Sequence, residues 1–181
     1  MTGKNTFTVG VDMSGLDAYI DELGDKADKA ARPAAQAAAQ VLYDEVKKNV
    51  AALRRKTGNL DRSIYQAFSK SNSSKGIAVY HVSWNHKVAP HGWLVENGYL
   101  QRYRYYQGSD GKVRPMVRPG MDGQPRPSRG ASQAVKDAYY VTLPTPVHVP
   151  AKAFVRRAQD KFPMAALAAE DAYISALLKR G

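Results

Sequence analysis

Hydrophobic positions along this chain change period several times, and each change predicts an element. Phe7, Val9 and Val11 alternate with polar residues, which predicts a short extended arm over residues 1–13. The spacing then lengthens. Leu16, Tyr19, Ile20, Leu23 and Ala27 recur every three or four residues, as one helix face does, and predict a helix over 15–31. Ser14 is a good N-cap for it, and Asp17, three residues on, completes a capping-box-like pair. Pro33 is accepted at the first position of a new helix but kinks a continuous one, so a second helix is expected from Ala34 to Leu53. Its first half is rich in alanine, the best helix former, and Val41, Leu42, Val46, Val50 and Leu53 supply its apolar stripe. At ~1.5 Å per residue this helix would be roughly 30 Å long. Its alanine face suits close packing against another backbone, whether its own sheet or a neighbouring subunit.

Gly58 breaks the helical run, and Thr57 is placed to cap a short turn that drops into a strand over Ile64 to Phe68. A polar turn, 70–76, joins it to a second strand over Ile77 to Trp84, whose alternation predicts an antiparallel hairpin with at least one buried face. Ala89 to Asn97 reads as a short helix ended by Gly98, with Trp93, Leu94 and Val95 as its apolar side. Residues 99–146 are punctuated by glycine and proline, including Gly108, Gly111, Pro115, Pro119 and Pro127, and such long stretches are usually functional. Beyond them Val135 to Leu143 predicts a strand ended by Pro144 and Pro146. Helical spacing returns from Ala151 to Arg180, interrupted at Pro163. The expected fold is α+β in a single domain, 1–181. Long N-terminal helices pack on a small antiparallel sheet, with a C-terminal helix and a long, loop-rich insertion at about 101–146.

Composition narrows the function classes. In 181 residues there are 27 Lys+Arg, 16 Asp+Glu and no cysteine, for a formal net charge of +11. Without cysteine there is no disulfide scaffold, thiolate nucleophile or Cys-ligated metal. No apolar run approaches the ~20 residues that span a bilayer, and no signal-like stretch opens the chain, so a soluble protein of intracellular origin is expected, with no membrane partner. The positive surplus favours polyanions or acidic partner surfaces. It is also segregated. Residues 1–46 hold four basic residues against eight carboxylates, whereas 47–62 hold six (Lys47, Lys48, Arg54, Arg55, Lys56 and Arg62) against Asp61 alone. Residues 101–130 hold seven, among them Arg102, Arg104, Arg114 and Arg118, against Asp110 and Asp122. Solvated helix faces and loops explain such runs without function; complementary faces of stacked subunits explain them with it.

Candidate chemistry is thin. His81, His86 and His91 are spaced by five, which suits neither a helical metal pair nor one side of a strand, and His148 stands apart. No glycine-rich phosphate loop, nucleophile elbow or kinase-type set occurs. Glu96, amid Trp93, Leu94, Val95 and Gly98, reads as one partner of a structural ion pair. A hydrolase built on His91 and Glu96 is the weakest of the functions weighed. No catalytic residue, cofactor or metal is expected. The segment Tyr99-Leu100-Gln101-Arg102-Tyr103-Arg104-Tyr105-Tyr106 interleaves aromatics with arginines. Aromatic faces stack on bases and arginines hold phosphates, which suits a non-sequence-specific nucleic-acid binder using residues 99–130. Protein interfaces are enriched in the same residues, and the segment reads as interface first and nucleic-acid surface second.

Three short motifs occur in order: Thr57-Gly58-Asn59-Leu60-Asp61-Arg62-Ser63-Ile64, then Val95-Glu96-Asn97-Gly98, then Pro150-Ala151-Lys152-Ala153-Phe154 followed by Ala158. Together, across about residues 15–178, they resemble the tailed-bacteriophage proteins that complete the tail or join it to the head (tail-completion, neck or minor tail proteins). The resemblance implies an α+β subunit that assembles as a homo-oligomeric ring, of about six copies, at the head–tail junction around the DNA path. It implies connector and tail-tube or tail-terminator proteins as partners, double-stranded DNA in the lumen, and a virion location after assembly in the bacterial cytoplasm. It assigns structural roles to Thr57, Gly58, Leu60, Ser63, Glu96, Gly98, Pro150 and Phe154. The candidates for subunit or DNA contact are Lys47, Lys48, Arg54, Arg55, Lys56, Arg102, Tyr103, Arg104, Tyr105, Tyr106, Arg114 and Arg118. Two departures stand out. The chain inserts 101–146 where the family runs quickly from the second motif to the third, and it has Ala153 where proline is common.

Overall fold

The computed structural model describes residues 14–53 and 58–179. The extended arm expected over 1–13, the capping side chains of Ser14 and Asp17, and Arg54, Arg55, Lys56 and Thr57 lie outside the described residues or side chains. The chain forms two compact units, one built from residues up to 90 and from 154 onward, the other from 91–153. The whole is α+β: a long N-terminal helix, three small two-stranded antiparallel sheets and a C-terminal helix.

In the first unit a single helix, α1 (Ser14–Ala51), replaces the two expected helices and carries Pro33 inside it. An internal proline costs a helix about 3 kcal/mol through its missing N–H and ring clash. Burial on both sides of it offsets that cost: Ala30 and Ala34 are buried next to the proline, and Ala39, Val46 and Val50 are buried further along the helix. Next come α2 (Asn59–Ser63), preceded by Gly58 at φ 72°, and β1 (Ile64–Phe68). β1 pairs antiparallel with β2 (Tyr80–Trp84), Ile64 opposite Trp84 and Phe68 opposite Tyr80. β2 begins later than expected. Ile77 is taken up by a tight turn in which it and Ser74 exchange backbone hydrogen bonds of 3.0 Å, so its side chain is exposed. α1 lies on this hairpin: Gln66 Nε2 donates to Gln40 Oε1 at 2.6 Å, and the Arg32 guanidinium sits 4.4 Å above the Phe68 ring. A 3-10 turn (Arg156–Lys161) leads into α5 (Phe162–Leu178), which packs along α1. Pro163 starts α5 instead of interrupting a longer helix, since its missing N–H is unpaired at a helix start in any case.

The second unit contains α3 (Gly92–Asn97), β3 (Tyr99–Tyr103), β4 (Tyr105–Gln107), β5 (Val113–Pro115), α4 (Gln133–Tyr139) and β6 (Thr142–Val149). The expected helix over 89–97 is thus shorter at its start, and the strand expected over 135–143 is wrong. Residues 133–139 are helical, with the Ser132 side chain accepting from the Val135 N–H, and Tyr139 is buried. β6 pairs with β3 and runs through Pro144 and Pro146, which were expected to end a strand. Gln101 opposes Val147 and Tyr103 opposes Thr142, so residues 143–146 bulge opposite Arg102 alone. A bulge leaves ladder positions unpaired, which is where prolines fit. β4 and β5 form a separate hairpin.

Candidate assembly surface

The three motifs prove to be places where the backbone is stitched. In the first, Leu60 and Ser63 are buried and the Ser63 hydroxyl donates to the Leu60 carbonyl at 2.7 Å. The second and third lie directly against each other. The Lys152 N–H donates to the Val95 carbonyl at 2.8 Å, and the Ala153 N–H to that of the buried Glu96 at 3.2 Å. Gly98 has φ 74°, and a Cβ there would stand 2.7 Å from both the Ala151 nitrogen and the Val149 oxygen, beside Pro150. Only glycine permits that approach. Phe154 is wholly buried and meets the Trp84 ring edge-on, centroids 5.4 Å apart.

The basic candidates divide sharply once their partners are seen. Lys47 is committed internally: its ammonium lies 2.7 Å from the Asp61 carboxylate and donates to the Asp61 carbonyl at 2.9 Å, tying α1 to α2. Lys48 is exposed, 3.7 Å from Glu45. Arg114 grips both Asp110 oxygens, at 2.9 and 2.5 Å, across the β4–β5 turn. That hydrogen bonding, reinforced by the Lys112 N–H, holds the Asp110 carboxyl down at about 2 and raises the Arg114 guanidinium. Arg118 donates from Nε to the Tyr140 carbonyl at 3.1 Å. The Tyr103 hydroxyl donates to Asp137 at 2.9 Å while Gln133 donates to it at 2.7 Å. Burial, then the bond to Asp137, pushes that phenol up. Tyr103 also packs on Tyr140, ring centroids 5.3 Å apart.

Arg102, Arg104, Tyr105 and Tyr106 are the remainder, all exposed, with Leu100 exposed beside them. Burial raises the Tyr105 phenol. A second kind of exposed surface lies in the helical unit. Tyr19, Ile20 and Leu23 continue the apolar stripe of α1 beyond its buried portion, and α5 exposes Phe162, Met164, Leu167, Ile174 and Leu178. Between α1, β2 and the 3-10 turn an apolar groove of about 480 Å³ is lined by Ala38, Leu42, Val46, Val82 and Phe162. The alanine half of α1 is thus only partly covered by its own sheet.

Residues 14–98 match the family described as "Bacteriophage HK97-gp10, putative tail-component". Over that span, just under half of the chain, the sequence is similar to the HK97-gp10-like family. No curated protein and no solved structure matches it. The matched span takes in α1, α2, the β1–β2 hairpin and α3, and with them the first two motifs. Among the described residues no helix is long and apolar enough to cross a membrane.

Several important residues of this chain carried no readable signal. Asn49 is buried and donates from Nδ2 to the Phe154 carbonyl at 3.0 Å, yet in the sequence it is one polar residue beside Val50. Asp137 and Gln133 become partners of Tyr103 only through folding across about thirty residues. Ala153 takes φ 47°, a conformation no local pattern announces.

Proposed function

We propose that this chain is a phage tail component that completes the tail or joins it to the head, assembling as a closed ring of about six subunits around the DNA path. One observation carries the reading: among the described residues the subunit leaves two opposite kinds of surface unpartnered. One is helical, apolar and acidic, around α5 and the start of α1; the other is basic and tyrosine-lined, around Arg102 and Arg104. Ring closure needs a heterologous interface in which one patch meets a different one, and two unlike patches on one chain supply it. Connector and tail-tube or tail-terminator proteins would stack above and below. Basic side chains left facing the lumen, Lys48 among them, would hold double-stranded DNA through its phosphates without sequence preference.

Multi-angle light scattering of the full chain, alone and with the connector and tail-tube proteins of the same phage, tests this. A closed oligomer of about six copies that joins one of those proteins is expected. A monomer in every mixture overturns the ring.

A further inference from the structure

α5 is apolar on two opposite sides. Its inner side, Ala165, Ala168, Ala169, Ala172, Tyr173 and Leu177, is buried or half-buried. On the other side Met164, Leu167, Ile174 and Leu178 are 54, 62, 46 and 76% exposed. Together with Asp171 these outer residues recur at alternating steps of three and four, the spacing of a helix–helix seam. A helix apolar all round is ordinarily covered all round. Among the described residues this one is covered on one side only.

The charge at the middle of the outer seam indicates what covers it. Asp171 sits midway between Met164 and Leu178, with Glu170 beside it, and among the described residues neither has an ion-pair partner. Pairing of α5 with α5 of a second copy, parallel in register or antiparallel about its centre, would set Asp171 against Asp171. Like charges meeting in a desolvated seam oppose that arrangement. The complement is a surface with positive charge set between apolar side chains. Leu100, Arg102 and Arg104 stand at every second position, all exposed, with Tyr105 and Tyr106 following. Among the described residues neither arginine has an ion-pair partner, unlike Arg114, which Asp110 holds.

We infer that the outer face of α5 is an inter-subunit contact, received by the Leu100–Arg102–Arg104 surface of a second copy of this chain, with Asp171 meeting the arginines and Leu167 and Ile174 meeting Leu100 and the tyrosines. The inference rests on the ring reading above and deepens it. The contact is head-to-tail, so each copy offers one patch and receives the other, as a ring requires.

The cysteine-free chain makes the test direct. Single-cysteine variants Leu167→Cys and Arg102→Cys are purified separately, mixed and oxidised. A disulfide-linked dimer containing one copy of each is expected from the mixture, with no cross-link from either variant alone. In parallel, Asp171→Arg should reduce the oligomer to monomers, and Arg102→Glu with Arg104→Glu in the same chain should restore it. Unchanged circular dichroism of each variant reports an intact subunit. Cross-links within the Leu167→Cys pool alone would show α5 pairing with itself and overturn the inference. An oligomer that survives Asp171→Arg and yields no mixed cross-link also overturns it, while leaving the ring standing. A wild-type chain that is monomeric in every mixture removes both.

Discussion

The Asn49 side chain reaches from α1 to the backbone carbonyl of Phe154, 105 residues later, and donates to it at 3.0 Å in a buried site. That bond holds the returning chain against α1 where the Phe154 ring enters the core beside Trp84. Leaving a buried carbonyl unpaired costs about 1–3 kcal/mol. Asn49→Ala should lower the stability of the subunit by that amount, seen as a lower urea midpoint at an unchanged slope. An unmoved midpoint would mean that water replaces the amide.

Gly98 and Gly120 both have positive φ, at 74° and 87°, but only Gly98 is crowded. Gly120→Ala should cost about 1 kcal/mol, the penalty of the left-handed conformation alone. Gly98→Ala adds a clash with the backbone at 149–151 and should cost several times more. Thermal unfolding of the pair separates strain from contact; equal losses would place the 149–153 segment further from α3 than the structure does.

Asp110 titrates from about 2 because Arg114 grips it, against 3.8 for an ordinary aspartate. A carboxyl depressed on folding adds stability above its unfolded value, and the contribution is lost as pH falls through the folded one. The β4–β5 turn should therefore keep this ion pair through pH 4 and lose it near pH 2. Carboxyl NMR titration should place the Asp110 midpoint near 2, and Arg114→Gln should return it toward 4. A wild-type midpoint already near 4 would show that the fork is not held in solution.

Ala153 occupies φ 47°, which a proline ring, locked near −65°, cannot adopt. The family resemblance leads one to expect proline here, and Ala153→Pro would also remove the N–H that donates to Glu96. This substitution should destabilise by about 3 kcal/mol or more. Ala153→Gly should be neutral or stabilising, since glycine accepts positive φ freely. Calorimetric melting points in the order Gly, Ala, Pro are expected, and a tolerated proline would refute the assigned backbone.

What could be read from the chain alone was whatever neighbours within one or two turns decide. The glycine break and turn before it placed β1 at Ile64–Phe68, and the three-four spacing found the face of α1 through Val46 and Val50. Tertiary structure decided the rest because distant burial outweighs local cost. Pro33 stays inside one helix because Ala30 and Ala34 beside it are buried, in a helix that packs along α5 from the far end of the chain. Pro144 and Pro146 remain within β6 because a bulge opposite Arg102 relieves them of ladder bonds. Residues 133–139 turn helical beneath a strand-like pattern, and Asp137 then takes Tyr103 out of the exposed tyrosine–arginine surface. Sequence counted the arginines and tyrosines of residues 99–118; only the fold separated those held within the unit, Tyr103, Arg114 and Arg118, from Arg102 and Arg104, which face outward with their charge uncompensated by any ion pair among the described residues.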